Sequence, residues 1–247
     1  MKKAIAILLV VCLCIALSAC GQNASTEDNR KVTVFLLTES GSRNYRQVYK
    51  YDRKGNLLQQ TDYYGNHADW KIEYEYDSDG KLIAANNTDG YKYEYTYDAD
   101  GNMTQEVIYN DGKEHSRTEY AYDTNGRRVS ATEYRDGEEN SVIEYFYDEN
   151  GHIVQETEYE NGKEDARIEY VYDSNGKLIT LVRVGGIGSS FSTTYEYDNR
   201  GSITKSVTDW GGGETESFYE YKKVTMRLDY AKKLQLEYGS VQVIIEE

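Results

Sequence analysis

The sequence predicts an all-β protein, a repetitive antiparallel meander of β-hairpins that curls or spirals as one wide sheet. Three observations predict it. The string Tyr-x-Tyr-Asp-x-x-Gly occurs seven times, with its aspartate at Asp52, Asp77, Asp98, Asp123, Asp148, Asp173 and Asp198; successive aspartates are 25 residues apart, except for a gap of 21 between Asp77 and Asp98. A fixed period of this size means one supersecondary unit used again and again. The paired tyrosines stand two residues apart, which puts both rings on one face of a strand. The chain also holds 26 Tyr and no Pro, so strand-favouring rings abound and nothing interrupts a hydrogen-bonded ladder.

The chain begins with an address. Lys2 and Lys3 precede an apolar run, Ala4 to Ala16, that is short for a membrane span. Leu17-Ser18-Ala19-Cys20-Gly21 follows and resembles a bacterial lipobox. Residues 1–19 are therefore expected to be a lipoprotein signal peptide, with Cys20 the lipidated first residue of the exported protein. Of the three cysteines, Cys12 and Cys14 would leave with the signal, so the exported part is expected to have neither disulfide nor thiolate chemistry. Residues 20–31 are polar and read as a flexible tether. The expected location is the cell envelope, on the outer side of a bacterial membrane.

Residues 32–224 form the expected sheet domain. Val32 to Thr38 is the most aliphatic strand, and Tyr45 to Asp52 completes the first hairpin. In each repeat the Asp-x-x-Gly suits a tight turn, Asp at the first position and Gly at the fourth. A second strand then ends at Asp111-Gly112, Asp136-Gly137 or Asn161-Gly162, the pairs best suited to a two-residue hairpin turn. In the short repeat, Thr88-Asp89-Gly90 is the expected second turn. Gly185-Gly186-Ile187-Gly188 and Trp210-Gly211-Gly212-Gly213 are irregular, and Lys222 stands where Asp would follow Tyr219 and Tyr221. Residues 225–247 read as a capping segment, with Val241 to Ile245 as a closing strand. Two strands per repeat give roughly 14–18 strands, and a sheet so wide must twist and curl.

From Tyr49 to Tyr221 the pattern resembles the YD repeat of the Rhs family. That resemblance implies spiralling antiparallel sheets, some of which form shells around toxins. It also implies cell-surface contact and carbohydrate binding, the part of the family's role expected to apply here.

Composition limits function. The formal charge is −15, which opposes binding to nucleic acid and electrostatic docking on anionic lipid. Leu, Ile, Val and Phe are scarce for a folded chain of this charge, but tyrosine rings supply the missing apolar area. Asp77-Ser78-Asp79-Gly80 and Asp98-Ala99-Asp100-Gly101 look like the start of calcium loops, yet the twelfth positions are Thr88 and Tyr109 rather than Glu. Turn chemistry is the expected use of these aspartates. His67, His115 and His152 fall in different repeats and show no metal-ligand spacing. Near-identical repeats do not offer two carboxylates in contrasting environments, as a glycosidase needs. No catalytic, cofactor-binding or metal residue is expected, and no cofactor. Trp70 and Trp210 lie outside the repeated tyrosine positions and are the candidate ligand contacts. The expectation is a non-enzymatic, lipid-anchored repeat protein presenting a tyrosine-rich sheet to a glycan, wall polymer or protein. A structural or immunity-type partner of a larger Rhs protein is the alternative, and a hydrolase the third reading.

Overall fold

The structure is a computed structural model that describes residues 31–186, 190–227 and 243–246. The expected signal peptide, Cys20, the tether as far as residue 30 and most of the capping segment lie outside the described residues. The strands are β1 (Lys31–Gly41), β2 (Tyr45–Tyr51), β3 (Leu57–Tyr64), β4 (His67–Tyr76), β5 (Leu82–Asn87), β6 (Tyr91–Tyr97), β7 (Met103–Asn110), β8 (Lys113–Tyr122) and β9 (Arg128–Arg135). They continue as β10 (Glu138–Tyr147), β11 (Ile153–Glu160), β12 (Lys163–Tyr172), β13 (Leu178–Gly185), β14 (Phe191–Tyr197), β15 (Ile203–Asp209), β16 (Glu214–Arg227) and β17 (Val243–Glu246).

Each of β1 to β15 pairs antiparallel with the next, and β16 returns to pair with β1 from Lys31↔Arg227 to Gly41↔Phe218. The meander is as expected, but the curled or spiralling open sheet is not: the sheet closes into a sixteen-stranded barrel. Two local features make closure reachable. Neighbouring strands rotate in one sense, so a wide sheet must curl. A register shift also recurs beside the aspartate turns, for example between Phe146 and Tyr147, between Val171 and Tyr172 and between Ala121 and Tyr122. Each such bulge bends its strand and adds twist. Closure then removes the free edges that an open sheet exposes. The seam is narrow on one side. β1 pairs with β2 only through Glu39, Ser40 and Gly41, and with β17 through Thr33 to Leu36.

All seven aspartate turns share one bonding scheme. In the first, the Asp52 N–H donates to the Asn56 carbonyl at 2.9 Å and the Gly55 N–H donates to the Asp52 carbonyl at 3.2 Å. Asp52 Oδ1 accepts from the N–H groups of Lys54 and Asn56. Gly55 has φ 93°, a left-handed value that glycine adopts without penalty. The short repeat departs from the expected turn in an informative way. Its turn begins one residue earlier, at Asn87, whose Oδ1 accepts from Asp89 and Tyr91 as the aspartates do. At the opposite rim, Asp111-Gly112, Asp136-Gly137 and Asn161-Gly162 have positive φ at both residues, the type I′ hairpin.

The two tyrosines of each repeat face inward and have separate tasks. The first fills space: Tyr49 and Tyr170 are each 5% exposed. The second ties one hairpin to the previous one. Tyr147 donates to the Arg128 carbonyl at 2.7 Å, Tyr172 to Ile153 at 2.8 Å and Tyr197 to Leu178 at 2.7 Å, each beside a bulge where the ladder is disrupted. Burial pushes the Tyr147 hydroxyl up to about 12, so it stays a donor at any ordinary pH. Ile153, Leu178 and Leu181 pack with Tyr170 into one core cluster, and Leu37 and Leu57 pack with Tyr49 into another.

The residues between the paired tyrosines point outward; Phe146 and Val171 are exposed. Around them the outer face carries ion pairs such as Lys71–Glu73 at 2.9 Å, Lys92–Glu94 at 2.6 Å and Arg117–Glu119 at 3.0 Å. A lipid-facing barrel has the opposite polarity, with an apolar band outside and a polar lumen.

The turn aspartates also give the barrel an acid limit. Asp98 is held below its ordinary value by the Asn102 side chain and then by backbone N–H donors, and Asp173 by the Lys177 backbone N–H first. A depressed carboxyl stabilises the fold above its unfolded value and loses that effect as pH falls through the folded value. Melting temperature is therefore expected to drop steeply once pH falls below the ordinary aspartate value of 3.8. Asp98→Asn should lower melting at pH 7, because the charged acceptor of the Asn102 amide is lost, and should soften the acid drop. An unchanged acid profile in thermal melts would refute the assignment.

Candidate functional site

Because partners across an antiparallel ladder share a face, the repeats can be compared position by position. The residue opposite the second tyrosine is Leu57, Leu82, Met103, Arg128, Ile153, Leu178 or Ile203. Six are apolar and one is arginine. The residue opposite the first tyrosine is Gln60, Ala85, Glu106, Ala131, Glu156, Leu181 or Ser206. The two glutamates of that column flank the strand that carries Arg128.

These three charges form an inward cluster. The Arg128 guanidinium lies 4.1 Å from the Tyr120 ring centre and about 6 Å from the Tyr122 and Tyr145 rings. The Tyr120 hydroxyl donates to Glu106 Oε2 at 3.3 Å, and the Tyr170 hydroxyl donates to Glu156 Oε1 at 2.5 Å. Burial pushes both carboxyls up, while their tyrosine donors and Arg128 pull them back. Arg128, Glu106, Glu156, Tyr120 and Tyr145 all keep partial solvent exposure, although they line the inner face of the wall.

A second array lies outside. Tyr109, Tyr134 and Tyr159 occupy the same place in three consecutive repeats, two residues before the Asp-Gly or Asn-Gly turn. Their ladder partners on the preceding strand are Lys92, Arg117 and Val142. The Arg117 guanidinium lies 4.5 Å from the Tyr134 ring centre, and Arg46 lies 4.1 Å from that of Tyr63, also on this face. Copies two strands apart stand about 9.5 Å from each other. A shallow depression lined by Gly90, Lys92, Glu94, Tyr109 and Gly112 adjoins the row. These tyrosines lie outside the Tyr-x-Tyr pair that marks each repeat. The signal was present as Tyr-x-Asp-Gly and Tyr-x-Asn-Gly at the 25-residue period.

The tryptophans are not brought together. Trp70 is half-buried on β4 and pairs with Asp62. Trp210 is 42% exposed at the β15–β16 turn, its ring centre 4.8 Å from that of Phe191. Both lie toward the rim opposite the aspartate turns. The histidines also stay apart. His152 Nδ1 lies 3.0 Å from Asp148 Oδ2 and its ring stacks on Tyr172, while His115 meets Tyr91 edge-on. Among the described residues no group of three or more His, Cys, Asp or Glu could hold a metal ion.

One solved structure shares the overall fold. A porin-like protein from Bacteroides uniformis matches with a TM-score of 0.50 at 17% identity, over 80% of this chain and 98% of that one. The TcdB2–TccC3 structure matches with a TM-score of 0.36 at 21% identity, over 70% of this chain and 10% of that one. The Photorhabdus luminescens Tc holotoxin pore matches with a TM-score of 0.32 at 15% identity, over 71% of this chain and 12% of that one. No curated protein matches. Residues 24–191 match the family model described as Teneurin YD-shell, a span that takes in six of the seven Tyr-x-Tyr-Asp-x-x-Gly strings, and the chain therefore belongs to the YD-shell family of YD-repeat proteins.

Proposed function

We propose that this protein is an exported, lipid-anchored, non-enzymatic repeat barrel whose outer tyrosine row binds a linear glycan or cell-wall polymer. The observation that carries the reading is the row of Tyr109, Tyr134 and Tyr159, repeated in register on the outer face of the wall. Tyrosine faces with charged neighbours suit sugar rings, which offer apolar faces and hydroxyl edges. A spacing of about 9.5 Å suits a polymer that repeats at a similar interval. Lipid on Cys20 would hold the chain start near the membrane. β1 enters the barrel from the aspartate-turn rim, so the rim with Trp210 would face away. The non-enzymatic reading rests on Glu106 and Glu156: both are shifted in the same direction and they lie on strands four apart, which gives no contrast between acid and base.

The test is a sedimentation assay with purified wall polymer and soluble glycans. The Tyr134→Ala protein is expected to bind at least about tenfold more weakly than wild type, and Trp210→Ala to reduce binding if the polymer reaches the rim. Tyr134→Ala binding that matches wild type would sink the row as the contact. A Cys20→Ala chain should leave the membrane fraction, and unchanged retention would remove the anchor from the reading. Strand addition to a larger Rhs protein is less favoured, because the closed wall offers no full-length edge to extend.

A further inference from the structure

The geometry points to a second site inside the barrel, in which Arg128, Glu106 and Glu156 bind a small zwitterion that carries both a carboxylate and an ammonium group, as free amino acids do. Arg128 is the exception in its column. At six of seven equivalent positions an apolar side chain packs below the second tyrosine; at the seventh the chain places a guanidinium. Four of those six, Leu57, Ile153, Leu178 and Ile203, are 9% exposed or less, so the position is one where the fold buries apolar mass. An arginine there gives up packing and hydration, and such a cation calls for an anion or strong acceptors.

The wall does not supply that anion at contact distance. Among the described residues no carboxylate lies within 4.0 Å of the Arg128 guanidinium, whereas the neighbouring Arg127 has Asp123 at 2.7 Å. Arg128 instead stacks on Tyr120, whose hydroxyl is already committed to Glu106, and donates to the Tyr122 hydroxyl, a neutral acceptor. Glu156 lies the same number of strands away on the other side. Ala131, on the same strand as Arg128 and opposite Tyr120, is smaller than Leu181, which holds the equivalent place two repeats later.

The pattern is therefore negative, positive, negative along an inner wall that solvent reaches. A simple anion would meet the guanidinium but also two carboxylates, and a simple cation the reverse. A molecule with both charges satisfies the centre and one flank. Its carboxylate would take the planar guanidinium fork, and its ammonium would donate to Glu106 or Glu156, each contact at about 2.8 Å. The surrounding tyrosine rings would cover whatever apolar side chain the molecule carries. This site is independent of the outer tyrosine row.

The experiment is calorimetric titration of the full chain with a panel of free L-amino acids, with acetate and methylamine as single-charge controls. At least one amino acid is expected to give saturable binding at least tenfold tighter than either control. Arg128→Met places at this position the residue that Met103 already supplies one repeat earlier, so that variant is expected to melt at or above the wild-type temperature and to lose at least tenfold in affinity. Glu106→Gln or Glu156→Gln should weaken binding by at least threefold. Arg128→Met that folds and binds as wild type does would overturn the site. So would acetate binding as tightly as any amino acid, or no saturable binding by any amino acid.

Discussion

Gly41→Ala is expected to lower barrel stability by about 3 kcal/mol or more, among the larger effects of any single substitution. Gly41 has φ 150° and ends β1 just before the turn into β2. A Cβ there would overlap the Tyr45 carbonyl oxygen and sit 2.5 Å from Arg46 Cα. Both obstacles are backbone, so no side chain can swing aside to relieve them. Arg46 is also the ladder partner of Gly41, one of only three pairs that hold β1 to β2. The clash therefore falls on the narrowest part of the closed wall. Thermal melts should show the loss, and hydrogen exchange should show where it falls. The amides of β2 should lose protection while the β1–β16 ladder keeps more of its own. Gly112→Ala is the control. Gly112 also has a positive φ, but a Cβ there meets nothing within 4 Å, so only backbone strain of about 1 kcal/mol is expected. Equal losses at the two sites would mean that close approach at the seam is not what Gly41 relieves.

The contrast between these glycines also shows what the sequence could and could not reveal. Turns were legible because their chemistry is local. Asp148 needs only the backbone two and four residues ahead, and Gly151 needs only its own φ. The inward face was legible because a period of two is local as well. Closure was not. It joins Lys31 to Arg227, and nothing near either residue marks the other as its partner. The twist that brings them together is a sum of small rotations over the intervening strands, and the bulges that increase it follow from the turn register rather than from a residue type. The tethering role of the second tyrosine was hidden for a related reason. Tyr172 reaches the Ile153 carbonyl across a hairpin, and the acceptor is a backbone atom with no sequence signature.

Arg128 and the outer tyrosines stand between these cases. Both are visible in the sequence once the repeats are laid over one another in the correct register. Arg128 then breaks an apolar column, and Tyr109, Tyr134 and Tyr159 form a column of their own. The seven-fold string hid them, because it directs attention to what all repeats share. In a repeat protein the shared residues mostly build the fold, and a site is better sought where one copy departs from the others. Trp70 and Trp210 met that criterion by being rare, yet their places, on β4 and in the β15–β16 turn, keep them apart.

Tyr170→Ala is expected to cost about 3–5 kcal/mol, the range for removing a large ring from a packed core. Tyr170 packs with Ile153, Leu178 and Leu181, and these neighbours belong to strands fixed by their own ladders, so the cavity cannot collapse fully. Tyr170→Phe separates packing from hydrogen bonding. It keeps the ring and strips Glu156 of the hydroxyl that donates to it at 2.5 Å, a loss of about 1–3 kcal/mol for a buried acceptor left unpaired. The pH dependence gives the sign. Burial already raises the Glu156 carboxyl, and the Tyr170 donor opposes that rise. Without the donor the folded value should climb further. A raised carboxyl favours the fold while protonated, and that contribution is lost as pH rises through the folded value. The Tyr170→Phe defect should therefore be larger at pH 8 than at pH 5, whereas the cavity part of the Tyr170→Ala defect should not change with pH. Chemical denaturation at the two pH values measures both. A Tyr170→Phe defect that is the same at each would mean that the Tyr170–Glu156 bond contributes nothing beyond the packing of the ring.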